Sequence, residues 1–197
     1  PGMVVFDLDG LLWRPELYQM RMPLRRTKEG TVVDATGEEL TLYPAARRVL
    51  AQLAFDARFE NTKVAWASRT HQKKDATRAF DWFFVSEAEA PGSAGDSGDA
   101  ASLALSEIAA HCQIASGTKQ VHLTRLSEAS GVPLSECVFL DNERWNITEV
   151  SKLGVISIYC PRGLTDAHWE EALYEYEKKV ARRGGGGGGG GGGGSRK

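Results

Sequence analysis

Short, nearly unbroken apolar runs recur along this chain, and they limit its fold more than any other feature. Met3-Val-Val-Phe6, Lys63-Val-Ala-Trp-Ala67, Cys137-Val-Phe-Leu140 and Val155-Ile-Ser-Ile-Tyr159 are each long enough for a strand and too short for a core helix. A strand with one wet face alternates apolar and polar residues. Runs without that alternation suit strands covered on both faces, as in parallel sheets. Helical patterns lie between the runs. Pro44 suits the first position of a helix reaching about Ala57, with Val49, Leu50, Leu53 and Ala54 on one face. Four more helices are predicted, from His71 to Phe84, Thr118 to Ala129, Glu143 to Leu153 and Thr165 to Val180. Val121, Leu123, Leu126 and Ala129 are the candidate core positions of the Thr118 helix. Strand and helix in alternation imply an α/β domain: a three-layer, Rossmann-like parallel sheet.

Two segments break the rhythm. Leu11 to Leu42 is too long for a tight connection; Thr31-Val-Val and Glu39-Leu-Thr-Leu42 flank a turn at Ala35-Thr-Gly37 and read as a small β-hairpin flap over the first strand's end. Ala90 to Ala101, rich in Gly, Ser, Ala and Asp, reads as a mobile surface insertion. The stretch after it has helical propensity, yet the sheet needs a strand somewhere between Ile108 and Ala115. Neither insertion has room for a large cap domain.

Gly184 to Gly194 is an unbroken glycine run with no side chains to bury. The expected organisation is one domain over residues 1–181 and a disordered tail over 182–197, whose removal should leave activity unchanged. The domain carries 20 basic and 26 acidic residues, a net −6, because Arg182, Arg183, Arg196 and Lys197 flank the run. Such a body argues against a nucleic-acid binder that works by charge. No stretch approaches 18 apolar residues, so no membrane span is expected. The sequence opens on Pro1 without a secretory pattern, as a piece of a longer reading frame does. Three scattered cysteines, Cys112, Cys137 and Cys160, fit reduced thiols of an intracellular, cytoplasmic protein and make no zinc pattern.

The sharpest chemical feature is Val4-Val-Phe-Asp7-Leu-Asp9-Gly10. Asp7 and Asp9 stand at the carboxyl end of a buried strand, where open parallel sheets bind ligands, and residues i and i+2 of a strand share a face. Two carboxylates that close need a cation or a proton between them. The plainer reading is a turn, since Asp and Gly favour turns. Ala67-Ser68-Arg69-Thr70 ends the second strand before a helix, a place that suits phosphate binding or simple helix capping. Lys119 opens a helix, where a cation is unfavourable unless an anion compensates it. Asp141, in Val138-Phe-Leu-Asp-Asn-Glu143, ends a further strand and would equally serve as a cap.

Taken in order, these pieces resemble the haloacid dehalogenase superfamily. Phe6-Asp-Leu-Asp-Gly-Leu-Leu-Trp13, Leu42-Tyr-Pro44, Ala67-Ser-Arg-Thr70, Gly117-Thr-Lys119 and Phe139-Leu-Asp-Asn-Glu143 with Asn146-Ile147 resemble the eukaryotic magnesium-dependent phosphatases of the acid phosphatase-like kind. The resemblance implies hydrolysis of a phosphomonoester, either protein phosphotyrosine or a small sugar-type phosphate, with Mg²⁺ as cofactor. It implies Asp7 as nucleophile, Asp9 as general acid and base, and Lys119 as the balancing cation. It further implies Leu8, Ser68, Arg69 and Lys119 around the phosphoryl group, and Asp7, Asp9 (by its carbonyl) and Asp141 as metal ligands. A monomer is expected. The chain departs from the family pattern at Gly10, at Leu11 (usually Thr) and at Asn142 (usually Asp). A catalytically impaired relative, or a phosphoryl-binding signalling module, is the alternative. Trp13 and Trp145 lie near the two acid motifs; Trp13 is a candidate for the pocket rim, and Trp145 for packing.

Overall fold

The computed structural model describes residues 1–93 and 100–184. Five parallel strands form the central sheet: Met3–Phe6 (β1), Lys63–Ser68 (β2), Ala109–Ile114 (β3), Cys137–Asp141 (β4) and Ile156–Tyr159 (β5). Their order is β5-β4-β1-β2-β3, so the chain winds outward from β1 in both directions. Among the described residues five longer helices cover it, besides a single helical turn at Leu105–Ile108: Pro44–Phe55 (α1), Lys73–Trp82 (α2), Lys119–Ser130 (α3), Arg144–Ser151 (α4) and Asp166–Gly184 (α5).

The three layers follow from β1. All four of its residues are buried, yet they serve two separate cores. Val4 and Phe6 face a core shared with Val49 and Leu50 of α1, Phe80 of α2 and Trp169 of α5. Met3 and Val5 face another, with Leu123 and Leu126 of α3 and Val150 of α4. Burial on both faces is why β1, β2 and β4 read as unbroken apolar runs. β3 is different: it lies at the sheet edge and is half-buried, so its sequence carries no run. It falls within the window that the sheet requires.

The expected hairpin flap is altered. The two arms around the turn do meet, but only as a single bridge between Val33 and Glu39, ahead of Thr41–Leu42. Val32–Val33 pairs instead with Arg25–Arg26, and Thr41–Leu42 with Trp13–Arg14. The turn between them is organised by Asp34. Its buried carboxylate accepts from the backbone N–H groups of Arg21, Thr36 and Glu38 and from the Thr36 hydroxyl, at 2.7–3.0 Å. These bonds, that from Arg21 first, hold its pKa far below the ordinary carboxylate range.

The face of α3 also differs from expectation. Val121 is 42% exposed, and Ala129 is exposed as well, while Lys119, His122, Leu123, Leu126 and Ser130 are buried. The buried stripe begins with the lysine. α5 runs on to Gly184, past the expected domain end at 181. Residues 94–99 of the expected insertion and 185–197 of the expected tail lie outside the described residues. Among the described residues no helix is long and apolar enough to cross a membrane.

Candidate active site

The carboxyl ends of β1, β2 and β4 meet at a cleft of about 470 Å³ lined by Asp7, Asp9, Ser68, Arg69, Lys119 and Asn142, with Glu16 and Tyr18 at one side. Of the residues singled out in the sequence, Leu8 and Asp141 do not line it. Leu8 turns its side chain into the core. Asp141 is fully buried beneath the cleft.

Asp7 extends β1 by one residue, its N–H donating to the Leu140 carbonyl at 3.0 Å. The chain then coils tightly. The Leu8 carbonyl accepts from the N–H groups of Leu11, Leu12 and Trp13, at 3.2, 2.9 and 3.4 Å. Gly10 sits in this coil at φ +70°, a conformation that favours glycine. The coil brings Trp13 back beneath Asp9. Trp13 Nε1 donates to Asp9 Oδ1 at 2.7 Å, and the Leu17 N–H donates to the same oxygen at 3.0 Å. Trp13 is therefore not a pocket rim: it is fully buried, packed against Phe80 and Phe83 with ring centroids 5.8 and 6.3 Å away. Trp145 is the reverse of its expectation, 67% exposed. Burial raises the Asp9 pKa above the ordinary carboxylate value. The bonds from Trp13 and Leu17 oppose that rise in part.

Lys119 is the hub. Placed at the start of α3 and turned inward, it is 2% exposed. Its ammonium donates to Asp7 Oδ1 and to the Ala67 carbonyl, and lies 3.3 Å from Asp141 Oδ2. Asp141 also accepts from the Glu143 N–H at 2.7 Å and from Asn146 Nδ2 at 2.9 Å. Even so, burial first and repulsion from Asp7 second push its pKa up to about 7. Two carboxylates share one ammonium, and the negative excess is unbalanced.

The β2 end supplies polar groups around this pair. The buried Ser68 Oγ accepts from the Thr70 N–H at 3.1 Å, so its own proton is free to point elsewhere. Arg69 reaches across the cleft to Glu143, Nη2 to Oε2 at 2.5 Å, and Asn146 Nδ2 is 3.3 Å from that same oxygen. The sequence reading missed Trp13 as the partner of Asp9 and Asn146 as the partner of Asp141. It also left the burial of Lys119 open, although Lys119, Leu123, Leu126 and Ser130 repeat at helical spacing and share one stripe.

The family model described as Acid Phosphatase matches residues 1–179. The chain belongs to the acid phosphatase family. Within reach of that family it is similar to human Magnesium-dependent phosphatase 1, with 31% identity over 90% of this chain and 88% of the relative. It is also similar to a HAD-like hydrolase superfamily protein of Schizosaccharomyces pombe, with 28% identity over 79% and 83% of the two chains. Among solved structures it resembles a HAD family enzyme of Bacteroides thetaiotaomicron in complex with magnesium and inorganic phosphate. The TM-score is 0.53 at 14% identity, over 85% of this chain and 98% of the other. A phosphatase domain from Bacteroides fragilis, complexed with Mg, gives a TM-score of 0.51 at 15% identity, over 89% and 39%. These structures show the fold: HAD-like, α/β and Rossmann-like.

The donors at the cleft of this acid phosphatase family member fit a Mg²⁺ ion. Asp7 in the cleft and Asp141 buried beneath it offer oxygen alone, and two carboxylates against one ammonium leave negative charge for a cation to balance. Among the described residues no three His, Cys, Asp or Glu side chains cluster to hold a metal by themselves.

Proposed function

We propose that the chain is a Mg²⁺-dependent phosphatase that hydrolyses phosphomonoesters through an aspartyl-phosphate on Asp7. One observation carries this reading: Asp7, paired with the buried Lys119, and Asp9, with its raised pKa, line the same cleft. Asp7, Asp141 and the Asp9 carbonyl would hold the cation. Bound there, Mg²⁺ supplies the positive charge that lets an anionic nucleophile approach an anionic phosphate.

The chain's own groups divide the work. A carboxylate oxygen of Asp7 attacks phosphorus as the ester P–O bond breaks. Lys119 fixes that carboxylate and offsets charge on the phosphoryl oxygens. Ser68 donates its free hydroxyl proton to one of those oxygens, the Leu8 N–H and Arg69 serve others, and the departing oxygen takes a proton from Asp9. Since Oδ1 of Asp9 already accepts from Trp13 and Leu17, that proton sits on Oδ2. In the second half, ionised Asp9 takes a proton from water, which attacks the phosphoryl group. The bond to Asp7 breaks, phosphate leaves, and both carboxyl groups return to their first state.

No large cap domain covers the described cleft, and an exposed tyrosine, Tyr18, stands at its mouth. Both features favour accessible monoesters, protein phosphotyrosine or a small sugar-type phosphate. The test is hydrolysis of an aryl phosphate with and without Mg²⁺, comparing the unmutated chain with Asp7→Asn. The expected result is metal-dependent turnover that the substitution abolishes; equal rates in the two proteins would sink the reading.

A further inference from the structure

The cleft does not end at the β2 terminus. It continues through His71 and Gln72 into a groove of about 930 Å³ along the first turns of α2, walled by Met22, Lys73, Lys74, Asp75 and Arg78. Lys73, Lys74 and Arg78 are exposed. The one acid on this wall, Asp75, is already engaged. Its Oδ1 accepts from the Leu24 N–H at 2.9 Å and lies 3.7 Å from Arg78 Nη1. Among the described residues neither Lys73 nor Lys74 has a salt-bridge partner. On the other wall stands Met22. A domain of net charge −6 thus gathers cations along one groove that opens into its proposed catalytic centre.

We propose that this groove binds acidic side chains that flank the phosphorylated residue of a polypeptide substrate. The proposal rests on the phosphatase reading of the cleft and adds the substrate class to it. Charge complementarity selects the occupant: unpaired lysines beside a phosphate site match a chain whose phosphate and carboxylates follow one another. Size selects a polypeptide. The cleft alone, at about 470 Å³, is sufficient for a small monoester, which would leave the groove unused. From Lys73 to Arg78 the helix rises roughly 7.5 Å, at about 1.5 Å per residue, which matches about two residues of extended chain. The acids should therefore stand within the first few positions from the phosphorylated residue.

The test measures binding, so that it does not depend on turnover. The full chain carrying Asp7→Asn is titrated into two fluorescein-labelled phosphotyrosine peptides by anisotropy. One peptide has Asp and Glu beside the phosphotyrosine; its twin has Asn and Gln there. The expected Kd ratio favours the acidic peptide by about five- to tenfold at low salt. It should shrink toward unity at about 0.5 M salt, where the screening length is only a few ångströms. Adding Lys73→Glu and Lys74→Glu should bring the ratio to unity or invert it. Because the ratio is taken within each protein, loss of folded material cancels. Equal affinities for the twins, no binding of either, or a ratio unchanged by the double substitution would each overturn the proposal. Hydrolysis of p-nitrophenyl phosphate by the unmutated chain is read separately. Its absence removes the phosphatase reading, whereas equal binding of the twins by a chain that hydrolyses it removes only the role of the groove.

Discussion

Replacing Trp13 with Phe tests the least visible part of the proposed mechanism. The phenyl ring keeps most of the packing against Phe80 and Phe83, and it loses the indole N–H that donates to Asp9 Oδ1 at 2.7 Å. A hydrogen bond to a charged group contributes about 1.5–3 kcal/mol, and ~1.4 kcal/mol is tenfold in rate. The Leu17 N–H remains on the same oxygen, so Asp9 is loosened rather than released. The expected loss in kcat/KM is about 10–100-fold for a substrate that needs full protonation of its leaving oxygen. Shrinking a fully buried ring also costs stability, about 1–3 kcal/mol, and that alone could lower activity. Two substrates separate the causes. The p-nitrophenolate leaving group needs little help from an acid, whereas an alkyl oxygen needs nearly all of it. Since kcat/KM covers only steps through phosphorylation of Asp7, the ratio of alkyl to aryl kcat/KM reports on Asp9 as acid. That ratio should fall about tenfold in Trp13→Phe. The pH profile has a definite sign as well. The indole bond pulls the Asp9 pKa down against burial, so its loss sends the pKa further up, and the protonated acid persists to higher pH in the variant. Equal losses for the two substrates, with an unmoved profile, would refute the view that Trp13 prepares Asp9.

Lys119→Met should be severe for stability as well as rate. It leaves Asp7 and Asp141 buried together without their ammonium, a loss of about 3–5 kcal/mol in metal-free protein. Added Mg²⁺ should recover part of the drop in melting temperature, a change that calorimetry reads directly. Asp34→Ala should destabilise the Arg21–Glu38 region and lower the urea midpoint at pH 7. The Asp34 pKa is depressed in the folded chain, so its contribution is complete above the unfolded value of about 4 and fades as the pH falls below it. The gap between wild type and variant in urea should therefore be full at pH 7 and begin to narrow only below about pH 4. Burial pushes the Cys137 and Cys160 thiols up to about 11 and about 12; it raises the Cys112 thiol too, but Cys112 alone of the three is exposed. Alkylation at pH 8 followed by peptide mass mapping should label Cys112 alone in the native protein.

What the sequence disclosed depended on how local each cause is. β1, β2 and β4 were legible because burial on both faces writes itself into consecutive residues, as in Met3–Phe6, and β5 because it keeps an apolar run although it lies at a sheet edge. β3 was not, because an edge strand with residues such as Ala110 and Cys112 exposed has no such run. The pairing of Val32–Val33 with Arg25–Arg26 was hidden for another reason. Two-residue strands carry almost no pattern, and their partners are chosen by tertiary contacts. In the cleft, the sequence named Asp7, Asp9, Ser68, Arg69 and Lys119, since each sits at a strand or helix end. The bond from Trp13 to Asp9 depends instead on three N–H groups converging on the Leu8 carbonyl, which only coordinates reveal.

The three departures from the family pattern separate once their surroundings are seen. Leu11 is fully buried in the core, so a hydroxyl there would lie among apolar side chains, and the donor Asp9 needs comes from Trp13 instead. Gly10 and Asn142 belong together. A Cβ on Gly10 would stand 2.5 Å from Asn142 Nδ2, closer than real contacts allow, and φ +70° already disfavours any other residue. The bare backbone of Gly10 is what lets the Asn142 amide lie against the coil after β1. A carboxylate at 142 would add a further negative charge beside Asp7, Asp9 and Glu16, which a bound cation would help to balance. The amide lowers that charge, so this chain should bind Mg²⁺ less tightly than a relative with two acids there, yet hold its metal-free cleft together with less repulsion.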